Sequence, residues 1–199
     1  FDNAQGQSQQ GRVRLLDFNV PSNNRYLVVT QLWIKGRRGF CRPDVLLYVN
    51  GIPLVLIALR NSTVALRNAY DDNLTNFKTE IPQLFLTNAF CVLSNAVESK
   101  VGSITAQWQH YFNWLRVDDE KQQIDRTAIR AQGTSLESVI EGLLPQQKLL
   151  DYVENFVLYD KDTQKIIAQN HQFIGVNRAY GVFLKRRELL GKLGVFWHT

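Results

Sequence analysis

The sequence predicts an α/β fold in which a mixed β-sheet is flanked by helices and followed by a helical connector. Three patterns carry this reading. Apolar residues alternate at strand spacing through the first half of the chain, the turn dipeptide Asn50-Gly51 joins two β-rich runs, and beyond about residue 119 the spacing changes to steps of three and four. With 199 residues, 45% of them hydrophobic and 21% charged, the chain is long enough to bury one substantial core.

The first eleven residues are polar and Gln-rich, without periodicity, and read as a flexible lead-in that carries no site. From Arg12 to Val20 and from Arg25 to Ile34 apolar residues recur at strand spacing around the turn-forming Pro21-Ser22-Asn23-Asn24, which predicts a hairpin. A basic loop, Lys35-Gly36-Arg37-Arg38-Gly39, leads into RPDVLLYVNGIPLVLIALRNS, where Asn-Gly is a strong hairpin signal. Leu66, Tyr70, Leu74, Phe77 and Ile81 then mark an amphipathic helix over Val64 to Ile81, ended by Pro82. A short strand, Ala89 to Leu93, pairs with Val101 to Ala106, and an aromatic segment, QWQHYFNW, packs behind them. The order is therefore β-β-β-β-α-β-β, a core over residues 12–118.

Residues 119–199 form the connector. After the charged VDDEKQQIDR, Ser135 is expected to cap a helix that Pro145 separates from a second one, QQKLLDYVENFVLYD. A short strand at Lys165 to Ala168, a basic helix from Ile174 to Leu190 and an apolar strand VFWHT complete the pattern.

Bulk properties exclude several classes. No apolar run reaches the roughly 20 residues needed to span a bilayer, and the polar start FDNAQGQSQQ is no signal peptide, so a soluble, cytoplasmic protein with no membrane partner is expected. Cys41 and Cys91 are too few and too far apart for a disulfide framework or a metal clip, and His110, His171 and His198 have no metal-ligand spacing. A net charge of +5 favours a polyanionic partner. The chain begins at Phe1 and contains no methionine, which predicts either a fragment or a sequence from which residues are omitted.

The chemistry concentrates in the second hairpin. Arg42-Pro43-Asp44, the segment YVNGIPLVLI and a three-residue site at 58–60 resemble the nuclease domain of the restriction subunit of type I restriction-modification enzymes, a branch of the PD-(D/E)xK nucleases. The likeness continues through AYDDNLTNFKTEIPQLF, TNAFCVLSN and NHQFIGVNRA to the final WHT, covering about Arg12 to Thr199. It implies a restriction-endonuclease-like sheet and, beyond Thr199, a helicase-type motor domain whose phosphate-binding loop this chain stops short of. It also implies double-stranded DNA as substrate, Mg²⁺ at the intact site, ATP for the full-length subunit rather than this fragment, and methylation and specificity subunits as partners.

In that family an acid entering one strand, here Asp44, converges with Glu-x-Lys on the next. Side chains on a strand alternate, so positions 54, 56, 58 and 60 are expected to share a face. Asp44 joins that face if the hairpin is bulged. A two-residue turn would set it against Ile57, whereas a three-residue loop of Asn50, Gly51 and Ile52 pairs Val49 with Pro53 and brings Asp44 opposite Ala58. Such a site would hold Mg²⁺ through two carboxylates and the backbone carbonyl of Leu59.

This sequence departs from the pattern at two of the three positions. Ala58 stands where the family has Glu and offers no ligand. Arg60 stands where it has Lys and keeps a positive charge for a phosphate, but cannot deprotonate a water. The chain as written is therefore expected not to cut DNA. Asn73 and Phe77 occupy the positions of the family's Gln and Tyr on the following helix, as candidates to contact DNA or metal-bound water alongside Arg42. Gln172 matches a nucleotide-reading glutamine of motor domains. Without the resemblance, Asp44 reads as a strand-start residue, Ala58 and Arg60 as a strand end becoming exposed, and Arg37, Arg38, Arg42, Arg67 and Lys78 as a solvated basic face or a DNA groove. Two rivals remain: a RecB-like repair nuclease with a migrated carboxylate at Asp71 or Asp72, and a non-catalytic DNA-binding or assembly module with a nuclease fold.

Overall fold

The computed structural model describes residues 13–119, 121–161 and 163–195. The lead-in and all but the first residue of the expected VFWHT strand lie outside them; Val195 is exposed and belongs to no element. The chain folds as expected into a mixed α/β structure. Six strands form one sheet in the order β1-β4-β5-β6-β7-β8: β1 (Tyr26–Thr30), β4 (Val45–Val49), β5 (Ile52–Leu59), β6 (Phe90–Ser94), β7 (Ser99–Gly102) and β8 (Phe112–Asn113). Only β5 and β6 run parallel, because the helical crossover between them returns the chain to the same end of the sheet. A small hairpin, β2 (Ile34–Lys35) and β3 (Phe40–Cys41), stands apart from the sheet, as does β9 (Val157–Asp160) with β10 (Gln164–Ile167).

Each face of the sheet is buried by its own set of helices. The crossover supplies one set, in three contiguous pieces: α1 (Leu66–Asn68), a π-helical stretch Ala69–Leu74, and α2 (Thr75–Glu80). Leu66, Ala69, Leu74 and Phe77 pack there on Leu46, Leu56, Ala58, Cys91 and Leu93. The opposite face, Val49, Val55, Ile57, Phe90 and Val92, is covered by α4 (Ser135–Leu143), α5 (Gln146–Asn155) and α6 (Asn170–Leu184) through Val139, Leu143, Leu149, Leu150, Tyr152 and Phe173. Residues on both sides of position 118 thus contribute to one buried cluster.

Several elements differ from the sequence reading. Residues 13–20 form no strand; Asp17 and the buried Asn24 exchange hydrogen bonds instead, Asp17 N to Asn24 Oδ1 at 2.8 Å and Asn24 Nδ2 to Asp17 O at 2.8 Å. Such side-chain bonds give the backbone an alternative to a ladder, and β1 pairs with β4. Helix α3 (Arg126–Gln132) starts at the end of the charged stretch VDDEKQQIDR and runs through residues for which no element was read: Asp125 caps it by accepting from the Thr127 and Ala128 amides, and Gly133 ends it with φ 70°. Thr134, not Ser135, precedes α4; the Ser135 hydroxyl instead donates to the Ala96 carbonyl at 2.5 Å. The second connector helix stops at Asn155, and 157–160 forms β9. The basic helix spans Asn170–Leu184 rather than Ile174 to Leu190.

Gly102 shows how closely the sheet is packed. A Cβ there would lie 2.5 Å from ring atoms of the buried Tyr111, whose hydroxyl donates to the Ser103 carbonyl. Gly102→Ala is expected to cost about 1–3 kcal/mol, because neither the strand nor the ring can retreat. Its urea midpoint should fall measurably below that of the parent; an unchanged midpoint would show that the contact can relax.

Candidate functional site

The geometry of the β4–β5 hairpin decides which side chains meet. Asn50 and Gly51 have φ 51° and 81°, the pair of positive values a type I′ turn demands, and Val49 pairs with Ile52. The three-residue loop is therefore not formed. The extra residue enters farther along: Tyr48 pairs with Pro53 but Leu47 pairs with Val55, leaving Leu54 as a bulge. Pro53 has no N–H to give to the ladder, so an irregularity beside it costs little. The bulge moves Leu54 onto the face of Val55 and Ile57, away from Leu56 and Ala58, correcting the expectation that 54, 56 and 58 share a face. Beyond it, Leu46 pairs with Leu56 and Val45 with Ile57, so Asp44 comes opposite Ala58. The expected apposition is reached by a different irregularity.

Asp44 is a half-buried residue held by two others. Its Oδ2 accepts from the Leu59 amide at 2.9 Å, its Oδ1 from Gln31 Nε2 at 3.1 Å, and its carbonyl from the Gln31 amide at 2.9 Å. Ala58 is fully buried, in the cluster with Leu56 and Leu93, so it is not the exposed strand end that composition implied. Exposure begins at Leu59. Arg60 is half-buried and continues the parallel ladder, its amide donating to the Ser94 carbonyl at 2.8 Å.

The β2–β3 hairpin sits at the edge of this site. Arg42 lies 5.2 Å over the Trp33 ring, and Trp33 meets Phe40 edge-on with centroids 6.2 Å apart. The hairpin is fastened to the end of α2 by Glu80, whose carboxylate accepts from the Arg38 amide at 2.8 Å and from Arg38 Nε at 2.6 Å, while its carbonyl accepts from the Arg37 amide. The bond from the Arg38 amide, reinforced by its guanidinium, holds the Glu80 carboxyl below the usual carboxylate range.

On the crossover helix Asn73 is half-buried in the π-helical stretch. Phe77 is a core residue, 6% exposed, packed with Leu46, Leu56 and Ala58, because the apolar stripe that defines this helix continues through it. Asp71 accepts from Arg67 Nε at 3.1 Å, and both Asp71 and Asp72 are exposed. Far from this hairpin in sequence, Gln172 belongs to a capping box at the start of α6, where its Oε1 accepts from the Gln169 amide at 2.8 Å. The structure therefore brings Asp44, Ala58 and Leu59 together at one strand end, with Arg42 two residues away in sequence, and places Phe77 in the core and Gln172 at the exposed start of α6.

A bulged hairpin that sets an acid opposite the second strand's 58–60 segment, under a helical crossover, is the frame expected of the resemblance. Comparison with known proteins agrees. Residues 2–110 match the family model of the type I restriction enzyme R protein N terminus. The chain belongs to this family. It is also similar, at 36% identity over 98% of its length, to the type I restriction enzyme HindI endonuclease subunit of Haemophilus influenzae, and at 32% over 98% to a protein named for the type I restriction enzyme MjaIXP endonuclease subunit of Methanocaldococcus jannaschii. It spans 19% and 20% of those relatives, about a fifth of their length.

Within this family frame the donor set does not fit Mg²⁺. Asp44 supplies one carboxylate, Ala58 supplies none, and among the described residues no three His, Cys, Asp or Glu side chains converge. Sequence reasoning did not single out the exposed Trp33 and Phe40: Trp33 was read as part of the Arg25 to Ile34 strand, which ends at Thr30, and Phe40 lies in a strand of two residues, too short for periodicity.

The Glu80 anchor makes the hairpin acid-sensitive. A carboxyl whose folded pKa is depressed adds stability that is present above its unfolded pKa and is lost as pH falls through the folded value. Thermal melting of the parent should therefore decline below about pH 4.5, the ordinary value for the group. Glu80→Gln should lower the melting temperature at pH 7 and flatten that acid limb. Parallel pH profiles for the two proteins would disprove the anchor.

Proposed function

We propose that this chain is the DNA-engaging nuclease module of a type I restriction subunit, and that as written it does not cleave DNA. The observation that carries the reading is Asp44 set by the hairpin register opposite a buried Ala58, so that the second carboxylate position of the family's site is filled by a methyl group. Arg60 follows at the strand end with a fixed positive charge suited to a phosphate and unsuited to proton transfer. In the intact subunit the module would act on double-stranded DNA, in a restriction-modification complex with methylation and specificity subunits in the cytoplasm. ATP would be used by a motor domain outside these 199 residues, with Gln172 as a candidate contact to that nucleotide. Asn73, Arg42 and the Leu59 carbonyl remain candidates around Asp44. The RecB-like alternative has less support: Asp71 is engaged by Arg67, and Asp72 lies beside it on the exposed side of the helix.

The test is to restore the two positions. With Mg²⁺ the parent chain should leave plasmid DNA uncut, while Ala58→Glu with Arg60→Lys should nick it and lose that activity again on Asp44→Ala. A second readout is independent of turnover. A glutamate buried at position 58 destabilises the core unless a cation neutralises it, so Mg²⁺ at a hundredfold excess over its Kd should stabilise the double variant by about 2.7 kcal/mol and leave the parent's melting unchanged. Cleavage by the parent chain that survives Asp44→Ala would refute the assignment; DNA binding without recovered cleavage or Mg²⁺ stabilisation would favour the non-catalytic module.

A further inference from the structure

The β2–β3 hairpin carries a feature that the Asp44 site does not explain. Trp33 and Phe40 are 63% and 65% exposed, although two large aromatic rings would ordinarily contribute to a core. They are not loose. The Gly36 amide donates to the Gly39 carbonyl at 2.6 Å to close the turn, and the Arg37 and Arg38 amides are both held by Glu80. A Cβ on Gly36 would lie 3.1 Å from Glu80 Cβ and its carbonyl, so the turn fits closely against the end of α2. The rings are presented to solvent by an anchored scaffold.

Their surroundings indicate what they meet. Between residues 31 and 44 there are four cations, Lys35, Arg37, Arg38 and Arg42, and one acid, Asp44. Arg42 is already stacked on one side of the indole at 5.2 Å, the arrangement in which a guanidinium prolongs an aromatic platform while keeping its charge for a phosphate. A hydrophobic protein partner would be ill served by so many cations; a nucleic-acid strand combines flat aromatic faces with regularly spaced negative charge. The location matters too. Gln31, two residues before Trp33, bonds Asp44 through both its amide and its side chain, and Arg42 is two residues before Asp44.

We infer that Trp33 and Phe40, with Arg42, form a stacking platform for an unstacked base of the DNA strand that lies along Asp44. The inference rests on the proposal that this site engages DNA, and specifies how: bases are held by rings and the flanking phosphates by Lys35, Arg37 and Arg42. An intact duplex hides its base faces, so the platform acts on single-stranded, frayed or mismatched DNA. It positions a strand and takes no part in bond breaking.

The experiment measures binding of the 199-residue chain to a fluorescein-labelled single-stranded oligonucleotide and to the duplex of the same sequence, at one fixed salt concentration. The parent should bind the single strand more tightly than the duplex. Trp33→Ala should weaken single-strand binding by about 5- to 150-fold, the range expected for a lost base stack, with a much smaller effect on the duplex. Trp33→Phe should retain most of the affinity and lose most of the DNA-induced tryptophan quenching. Because Trp33 is exposed, thermal melting of both variants should match the parent. If Trp33→Ala binds like the parent, or loses single strand and duplex equally, the platform is wrong and DNA engagement at the site survives. If the parent binds neither oligonucleotide, both readings fail. A fall in melting temperature that accounts for the lost binding would assign the ring to the fold and overturn the inference.

Discussion

One unpaired residue, Leu54, governs how this chain becomes a site. The Asn50-Gly51 turn is locked by two positive φ values, which match the natural twist of a hairpin and fix Val49 against Ile52. Continued without interruption, that register would send Asp44 and Ala58 to opposite faces of the sheet. Inserting Leu54 reverses the alternation for the rest of β5, so that Leu56 and Ala58 face the crossover helix with Leu46, while Leu54, Val55 and Ile57 face α4, α5 and α6. The same irregularity therefore sorts the two hydrophobic cores and aligns the functional end of the hairpin. Because the side-chain period is two, no gradual adjustment could do this.

The connector contributes to the site indirectly. Lys165 of β10 is buried, donates its ammonium to the Asn88 carbonyl at the start of β6 and lies 5.4 Å over the Tyr159 ring. Its own carbonyl accepts from Ser103 Oγ at 2.7 Å, and its amide donates to Thr105 Oγ1 at 2.9 Å. The β9–β10 hairpin is in this way bolted to the strand that pairs with β5. A tightly packed aromatic set, Phe90, Trp114, Tyr152, Phe156 and Phe173, fills the space between. This set holds α6 against the sheet, since close-packed interiors leave little room for such contacts to slip.

What the sequence made legible followed from strong local rules. The Asn-Gly hairpin and the 66–81 helical stripe are dictated by turn chemistry and period, whereas the apposition of Asp44 with position 58 was implied by the resemblance, since an uninterrupted two-residue turn would have set Asp44 against Ile57. The location of the bulge was not legible, because a bulge at the loop and one at Leu54 satisfy the same parity argument; the missing N–H of Pro53 distinguishes them only when the ladder is drawn residue by residue. Residues 13–20 alternate like a strand, yet Asp17 and Asn24 close a local hydrogen-bonded loop that competes with pairing. Helix α3 is hidden for the converse reason: its N-cap Asp125 lies inside a run of charges that resembles a linker. Phe77 illustrates a different ambiguity, since a helical stripe cannot say whether its last aromatic residue is core or contact surface.

Ala58 and Asp44 are best understood together, as two halves of a trade between stability and chemistry. A glutamate at position 58 would have to bury a carboxylate among Leu56, Cys91 and Leu93, where an uncompensated charge is costly and only a bound cation offsets it. Alanine removes that cost and completes an apolar face. Asp44 is under no such pressure. Half-exposed, and accepting hydrogen bonds from the Leu59 amide and the Gln31 side chain, it ties β4 to the far end of β5 and to the base of the β2–β3 hairpin. An acid in this position thus holds the strand ends in register whether or not a metal is ever bound. Packing thus favours the methyl group at position 58, and it uses the Asp44 carboxylate as a tie between strand ends.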